Sequence, residues 1–211
     1  MELQKNGFSD RFFEMAEQGK SLYTGSSNEF SYYKNIALYG ADGYILKEKY
    51  DKAFEFINSL DLNEVKHSDS VLRDNGLCIV SYFDIQMELC NEYGDKERAN
   101  NVFRDAKPYL DKFYGANNVS MVIDEFYFSY YYLNQDYMLA IEHAEAMINN
   151  PFHKMNSIIA GYLNLAMAYN KMGDTARALE ILDEAVKIMN NKKNPVSIQS
   201  YEYAKKQIEI W

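Results

Sequence analysis

The sequence predicts an all-α protein built from antiparallel helical pairs. Three observations carry that prediction. Glycine and proline together supply only 13 of 211 residues, roughly half their usual share of about 12%, so turn-rich all-β folds, collagen-like chains and flexible linkers fit poorly. Apolar residues recur at three- and four-residue spacing almost throughout, and strict alternation is rare. The composition is 47% hydrophobic and 15% aromatic, too apolar for disorder, and a chain of this length can bury roughly 70% of its unfolded surface.

The N-terminal element is expected over about residues 8–23, where Phe12, Phe13, Ala16 and Leu22 form an apolar set. Ser26-x-x-Glu29 then reads as a capping box. The clearest stretch runs from Asn156 to Asn190. Tyr162, Leu165, Ala166 and Tyr169 share one helical face, and Ala178, Leu179, Leu182 and Ala185 share the next. Between them Gly173 tolerates positive φ and Asp174 can cap the second helix. So short a loop forces the two helices antiparallel and adjacent.

The pattern Tyr162, Leu165, Ala166, Tyr169, Gly173-Asp174, Ala178, Leu182, Ala185 resembles a tetratricopeptide (TPR) repeat, a 34-residue helix–turn–helix unit. Carried upstream, that register finds Tyr44, Tyr50, Ala53 and Ile57; then Gly94-Asp95, Ala99, Phe103 and Ala106; then Asp136, Tyr137 and Ala140. The anchor alanines Ala53, Ala99, Ala140 and Ala178 lie 46, 41 and 38 residues apart, longer than the family norm. Hairpins are thus expected at about 28–62, 70–114, 118–149 and 156–190. Met87 and Phe128 stand where the other two hairpins carry Ala41 and Ala166, so the middle repeats are degenerate and should pack more widely. Pro108 should kink or end its helix. Asn194-Pro195 opens a capping helix at about 195–211, with Ile198, Tyr201, Ala204, Ile208 and Trp211 on one stripe. The expectation is one domain spanning 1–211: about ten helices in a right-handed superhelix of four TPR-like hairpins with caps at both ends.

Charge and motif content narrow the function. The net charge is −9 with no run of Lys or Arg, which disfavours nucleic acid and anionic membrane surfaces. No stretch approaches the roughly 18 apolar residues of a spanning helix, and MELQKNGFSDRFF lacks a signal-peptide pattern. Cys78 and Cys90, twelve residues apart on one helix, would sit about 18 Å from each other, too far for a disulfide. They read as buried thiols in a reducing compartment, so a cytoplasmic location is expected. His67, His143 and His153 show no metal-ligand spacing, and His143 reads as a surface residue beside Glu142 and Glu145. No phosphate loop, dinucleotide fingerprint or nucleophile elbow occurs. No enzymatic activity, cofactor or metal is expected.

The resemblance implies that the first helices of the hairpins line a concave surface that binds an extended or helical peptide. In the registers above, that face carries Leu38, Asp42 and Ile45; Asp84, Glu88 and Asn91; Glu125, Ser129 and Tyr132; and Leu163, Met167, Asn170 and Lys171. Chaperone-binding members of the family clamp a carboxylate with cations at such places. Asp42, Asp84, Glu88 and Glu125 would instead repel one and draw in a basic or amphipathic segment. Tyr132, at the end of the aromatic run FYFSYYYL, with Leu163 and Met167, would give apolar contact. Asn91 and Asn170 would bond a peptide backbone, as amides do in bacterial peptide-pheromone receptors with related repeats. Tyr127, Phe128 and Tyr131 are expected inside the hairpin. The expected function is a non-catalytic protein- or peptide-binding scaffold, one version being a bacterial peptide-responsive regulator. The alternative is an assembly module that homodimerises through its convex face or terminal helix.

Overall fold

Four short turns, each between two apolar-periodic stretches, set the course of the chain. The computed structural model describes residues 10–24, 27–61, 69–115, 119–150 and 155–190, with positions 201, 205, 206 and 208. Among the described residues there are nine helices and no strand: α1 (Asp10–Leu22), α2 (Ser27–Leu46), α3 (Tyr50–Asn58), α4 (Asp69–Tyr93), α5 (Lys96–Phe113), α6 (Ser120–Leu133), α7 (Tyr137–Asn149), α8 (Met155–Lys171) and α9 (Thr175–Asn190). The all-α expectation holds. None of these helices is long and apolar enough to cross a membrane.

The turns α2–α3, α4–α5, α6–α7 and α8–α9 share one backbone solution. Each has a residue in the left-handed region: Glu48 (φ 56°), Gly94 (φ 65°), Gln135 (φ 67°) and Gly173 (φ 87°). The next amide reaches back five residues, from Lys49 to Tyr44 O at 2.9 Å, Asp95 to Cys90 O at 2.9 Å, Asp136 to Tyr131 O at 2.9 Å and Asp174 to Tyr169 O at 3.0 Å. This bond satisfies a carbonyl that a helix end otherwise leaves orphaned. The same residue opens the following helix, and its carbonyl accepts from Ala53, Ala99, Ala140 and Ala178 respectively at 3.0–3.1 Å. All four alanines are fully buried. Asp95 Oδ1 and Asp174 Oδ1 also cap their helices, accepting from Arg98 N at 3.0 Å and Arg177 N at 3.1 Å. Lys49 and Asp136 make no such side-chain bond.

The chain divides into two compact units, Phe8–Val122 and a second containing Ile123–Trp211. In the first, α1 packs on α2, and α4 packs on both α2 and α3. Tyr44 Oη donates to Glu17 Oε1 at 2.9 Å, and Lys20 pairs with Glu55, which ties α1 to the α2–α3 hairpin. Ala16 of α1 is buried, whereas Leu22 is exposed, outside the apolar face expected of it. Phe56, Ile57, Ile79, Met87, Leu89 and Leu110 form the core of this unit. Gly40 is required here because a Cβ would stand 2.8 Å from the Phe56 ring. Cys78 and Cys90 are free and buried on α4, and burial pushes the Cys90 thiol up to about 11. Pro108 does not end α5, which continues to Phe113. Pro108 is exposed, so water can solvate the carbonyl its missing N–H leaves.

In the second unit α8 packs on both α7 and α9. Phe128, Ala140, Ala144, Ile159, Leu163, Ala166, Ala178 and Leu182 share one core with Ile208, and Tyr201 packs against it. Gly161 lets α8 approach α7, since a Cβ there would lie 3.0 Å from Ala144 O. Leu179, expected on the apolar face of α9, is 52% exposed because the buried stripe runs through Ala178, Ile181, Leu182 and Ala185. Ser26 and the Glu29 side chain, His67, His153, Asn194-Pro195, Ile198, Ala204 and Trp211 lie outside the described residues.

Two predictions follow from the hairpin geometry. Ala178→Leu should lower stability by roughly 1–3 kcal/mol through overpacking. Ala176→Leu, at an exposed position, should change it little. Paired denaturant melts will show equal stabilities if the buried face of α9 is misassigned. Gln135→Gly should stabilise by up to about 1 kcal/mol by removing a side chain from left-handed backbone, and Gly173→Ala should destabilise by about as much.

Candidate functional site

The positions expected to bind a partner recur at the same offsets in each hairpin. Counted back from the left-handed turn residue, Leu38, Asp84, Glu125 and Leu163 lie ten residues earlier, and Asp42, Glu88, Ser129 and Met167 lie six earlier. Ile45, Asn91, Tyr132 and Asn170 lie three earlier. Spacings of four and three place each set on one face of its helix. The last row is pinned directly by the turn. The carbonyls of Ile45, Asn91, Tyr132 and Asn170 accept from the amides of Glu48, Gly94, Gln135 and Gly173 at 2.8–3.1 Å.

In the first unit the stripe is more buried than a solvated groove. Leu38 and Ile45 belong to the core, and Asp84 is buried. Glu88 and Asn91 are partly exposed. Glu88 lies near Tyr50, whose phenol is pushed well above its ordinary range by burial, a hydrogen bond with Glu92 and the charges of Glu92, Glu48 and Glu88. Tyr93 Oη donates to Asp51 Oδ1 at 2.8 Å beside this group. Asp42 has a different environment. Its side chain is partly exposed, yet desolvation by the surrounding core pushes its carboxyl up to about 6. Among the described residues it has no hydrogen-bond or ion-pair partner.

In the second unit Ser129 and Leu163 are buried, while Glu125, Tyr132, Met167, Asn170 and Lys171 are partly exposed. The Tyr132 ring stacks on Phe128 with centroids 5.4 Å apart and meets Tyr137 edge-on at 5.9 Å, so it is held rather than loose. Asn170 Oδ1 accepts from Thr175 Oγ1 at 2.9 Å, which orients the amide and leaves its NH₂ as donor. Desolvation lowers the Lys171 ammonium below its ordinary range. Leu38, Asp42, Ile45, Asp84, Glu88 and Asn91 thus lie in one unit, and the other seven candidates lie in the second.

One constellation was not foreseen. His143 of α7 is partly exposed but not a solvated surface group: its Nδ1 lies 3.0 Å from Oδ1 of Asp124, which is buried on α6. The imidazole stacks against Tyr127 at 4.8 Å and Tyr131 at 5.7 Å. Tyr127 and Tyr131 therefore sit within the hairpin, as the aromatic run suggests, but around a polar pair. Asp124, Tyr127 and Tyr131 at i, i+3 and i+7 share a face of α6. That spacing was readable, but the facing histidine was not. Among the described residues no three of His, Cys, Asp or Glu are grouped as a metal ion would need.

Comparison with known proteins finds no family model, no curated protein and no solved structure that matches this chain.

The Asp42 environment makes a pH prediction. Well below pH 4 the carboxyl is protonated both folded and unfolded, and burial costs nothing. Between about pH 4 and 6 the unfolded chain has released a proton that the folded carboxyl still holds, so stability falls with rising pH and levels off above 6. Asp42→Asn should remove this loss, being more stable than the parent by on the order of 2 kcal/mol at pH 7 and no more stable at pH 4. Urea melts of both proteins across pH 4–7 check it; parallel curves would rule it out.

Proposed function

We propose that this protein is a non-catalytic scaffold of the tetratricopeptide type that holds a basic or amphipathic peptide segment on the first helices of its hairpins. Asp42 carries the reading. An ionised carboxylate that is desolvated and lacks a partner is costly. A lysine or arginine from a bound segment would offset that cost, which gives the site a physical reason to prefer a cation. Glu88 and Asn91 on α4 add a second charge and a backbone-bonding amide in the same unit. Tyr132, Met167 and Asn170 supply the apolar and amide contacts expected of the other unit. A bacterial regulator that answers a small peptide is the narrower form of this reading.

The self-association alternative draws on an exposed terminal stripe. Ile208 is buried and Tyr201 packs against the same core, which removes two side chains from that stripe. The four repeated turns support the TPR likeness because each brings a buried alanine to the same place after the same backbone bond.

A concrete test uses a soluble amphipathic helical peptide with lysines on one face and leucines on the other. Binding should be at least tenfold weaker for an Asp42→Asn, Glu88→Lys variant and should weaken as salt rises. The Asp42 carboxyl, followed by carbon NMR, should titrate at lower pH in the complex. An Asp183→Lys, Glu184→Lys control on the exposed face of α9 should bind as the parent does. Unchanged affinity in the stripe variant, with an unmoved Asp42 titration, would overturn the proposal.

A further inference from the structure

A second site lies within the first unit, on the α4–α5 hairpin. A cavity of about 690 Å³ opens between Tyr82, Phe83 and Gln86 on α4 and Arg98, Asn101, Val102 and Tyr109 on α5, with Arg104, Asp105 and Pro108 at its edge. This is in the range of small-molecule sites, roughly 300–1,000 Å³. Phe83 and Tyr109 stack with centroids 5.7 Å apart. Tyr82 is hydrogen-bonded to Gln86. The cavity therefore offers flat aromatic surface with amides close by.

The charge at this cavity departs from the repeat. Four residues after the left-handed turn residue, three hairpins carry a cation: Lys52, Arg98 and Arg177. In two of them a glutamate three residues further on neutralises it. Lys52 pairs with Glu55 at 3.1 Å, and Arg177 pairs with Glu180 at 2.8 Å. The third position after Arg98 is Asn101. Among the described residues Arg98 makes no ion pair, and its guanidinium rests 4.2 Å over the Phe54 ring. Arg104 and Asp105 pair with each other at 3.5 Å, and at Tyr82 the charge of Arg98 outweighs that of Asp61, so the cavity lining keeps one unneutralised cation. Cation–π contact fixes a guanidinium without consuming its in-plane donors.

We infer that this cavity binds a small planar aromatic carboxylate. Its carboxylate would take the in-plane donors of Arg98, the bidentate geometry that guanidinium favours. Asn101 would give an amide donor in place of a competing glutamate. The ligand ring would lie on the Tyr82, Phe83 and Tyr109 surface. The site is separate from the peptide stripe and does not depend on that reading.

The test uses 2-naphthoate as probe, with 2-naphthamide as its uncharged analogue, followed by amide chemical shifts of the full chain. Naphthoate should bind at least tenfold more tightly than naphthamide and shift residues around the cavity. Asn101→Glu installs the glutamate that the other two hairpins carry and should cost at least tenfold in naphthoate affinity. Asn101→Gln, which keeps the amide, should stay within about threefold of the parent, a difference of about 0.7 kcal/mol. Both exchanges are at an exposed position, and a circular dichroism melt confirms that each variant folds. Equal binding of naphthoate and naphthamide would mean that only the apolar surface is recognised and would overturn the inference. Failure of naphthoate to saturate at millimolar concentration, or full affinity in Asn101→Glu, would overturn it as well.

Discussion

The bond from the residue after each left-handed turn back across five residues is the constraint on which the rest depends. A helix end exposes carbonyls with no partner, and a hairpin of two packed helices cannot leave them buried and unpaired. Closing the end with one left-handed residue and one backward bond uses the fewest residues and makes the closing residue the cap of the next helix. That fixes the phase of the second helix relative to the first. In all four hairpins it delivers an alanine to full burial. The backbones can then approach at a distance that a larger side chain would not allow. Glycine supplies the left-handed residue at Gly94 and Gly173, where the backbone asks for it. Glu48 and Gln135 do the same work at some conformational cost, which the packed alanines at Ala53 and Ala140 offset.

This explains what could be read in advance. Gly173-Asp174 and Gly94-Asp95 announce their turns, because glycine and aspartate are the residues that the geometry favours. The turns at Glu48 and Gln135 lack the glycine and were legible through Tyr44, Tyr50, Ala53 and Ile57 in one case and Asp136, Tyr137 and Ala140 in the other. The helices followed from apolar spacing, which depends on burial and so survives changes of residue type. Individual exposures were less legible. Leu179 and Leu22 read as apolar face and are exposed, because a helix face is wider than the contact it makes. Pro108 reads as a kink or a stop, and α5 runs on through it to Phe113, because solvent can meet the freed carbonyl.

The polar groups were the least legible, for a physical reason. Burial of a charge depends on which neighbours a helix meets, and periodicity carries no information about that. Asp42 and Asp84 look alike in sequence as acidic residues of a first helix. Yet Asp42 is a partly exposed carboxyl lifted by desolvation to about 6, whereas Asp84 is buried. His143 stands between two glutamates in sequence and faces neither in the structure; it faces Asp124 across the hairpin. Of the stripe that the family likeness implied, Asp42, Glu88, Asn91, Glu125, Tyr132, Met167, Asn170 and Lys171 are partly exposed. Asn91, Tyr132 and Asn170 are also the ones whose carbonyls the turn bonds hold.

A repeated scaffold makes departures from the repeat informative. Where four hairpins share a turn and a buried alanine, a residue that differs at an equivalent exposed position is not explained by the fold. Glu55 and Glu180 close the local charge of their helices, and they do so by the ordinary i, i+3 contact that any helix surface permits. Asn101 withholds that closure from Arg98, although glutamate would fit the exposed surface as well. The fold loses little by this, since an exposed ion pair is worth under about 1 kcal/mol. What changes is the availability of a guanidinium beside an aromatic cavity. Within one helix the buried residues Ala99, Ala106 and Leu110 hold α5 in place, while Arg98 and Asn101 line the cavity.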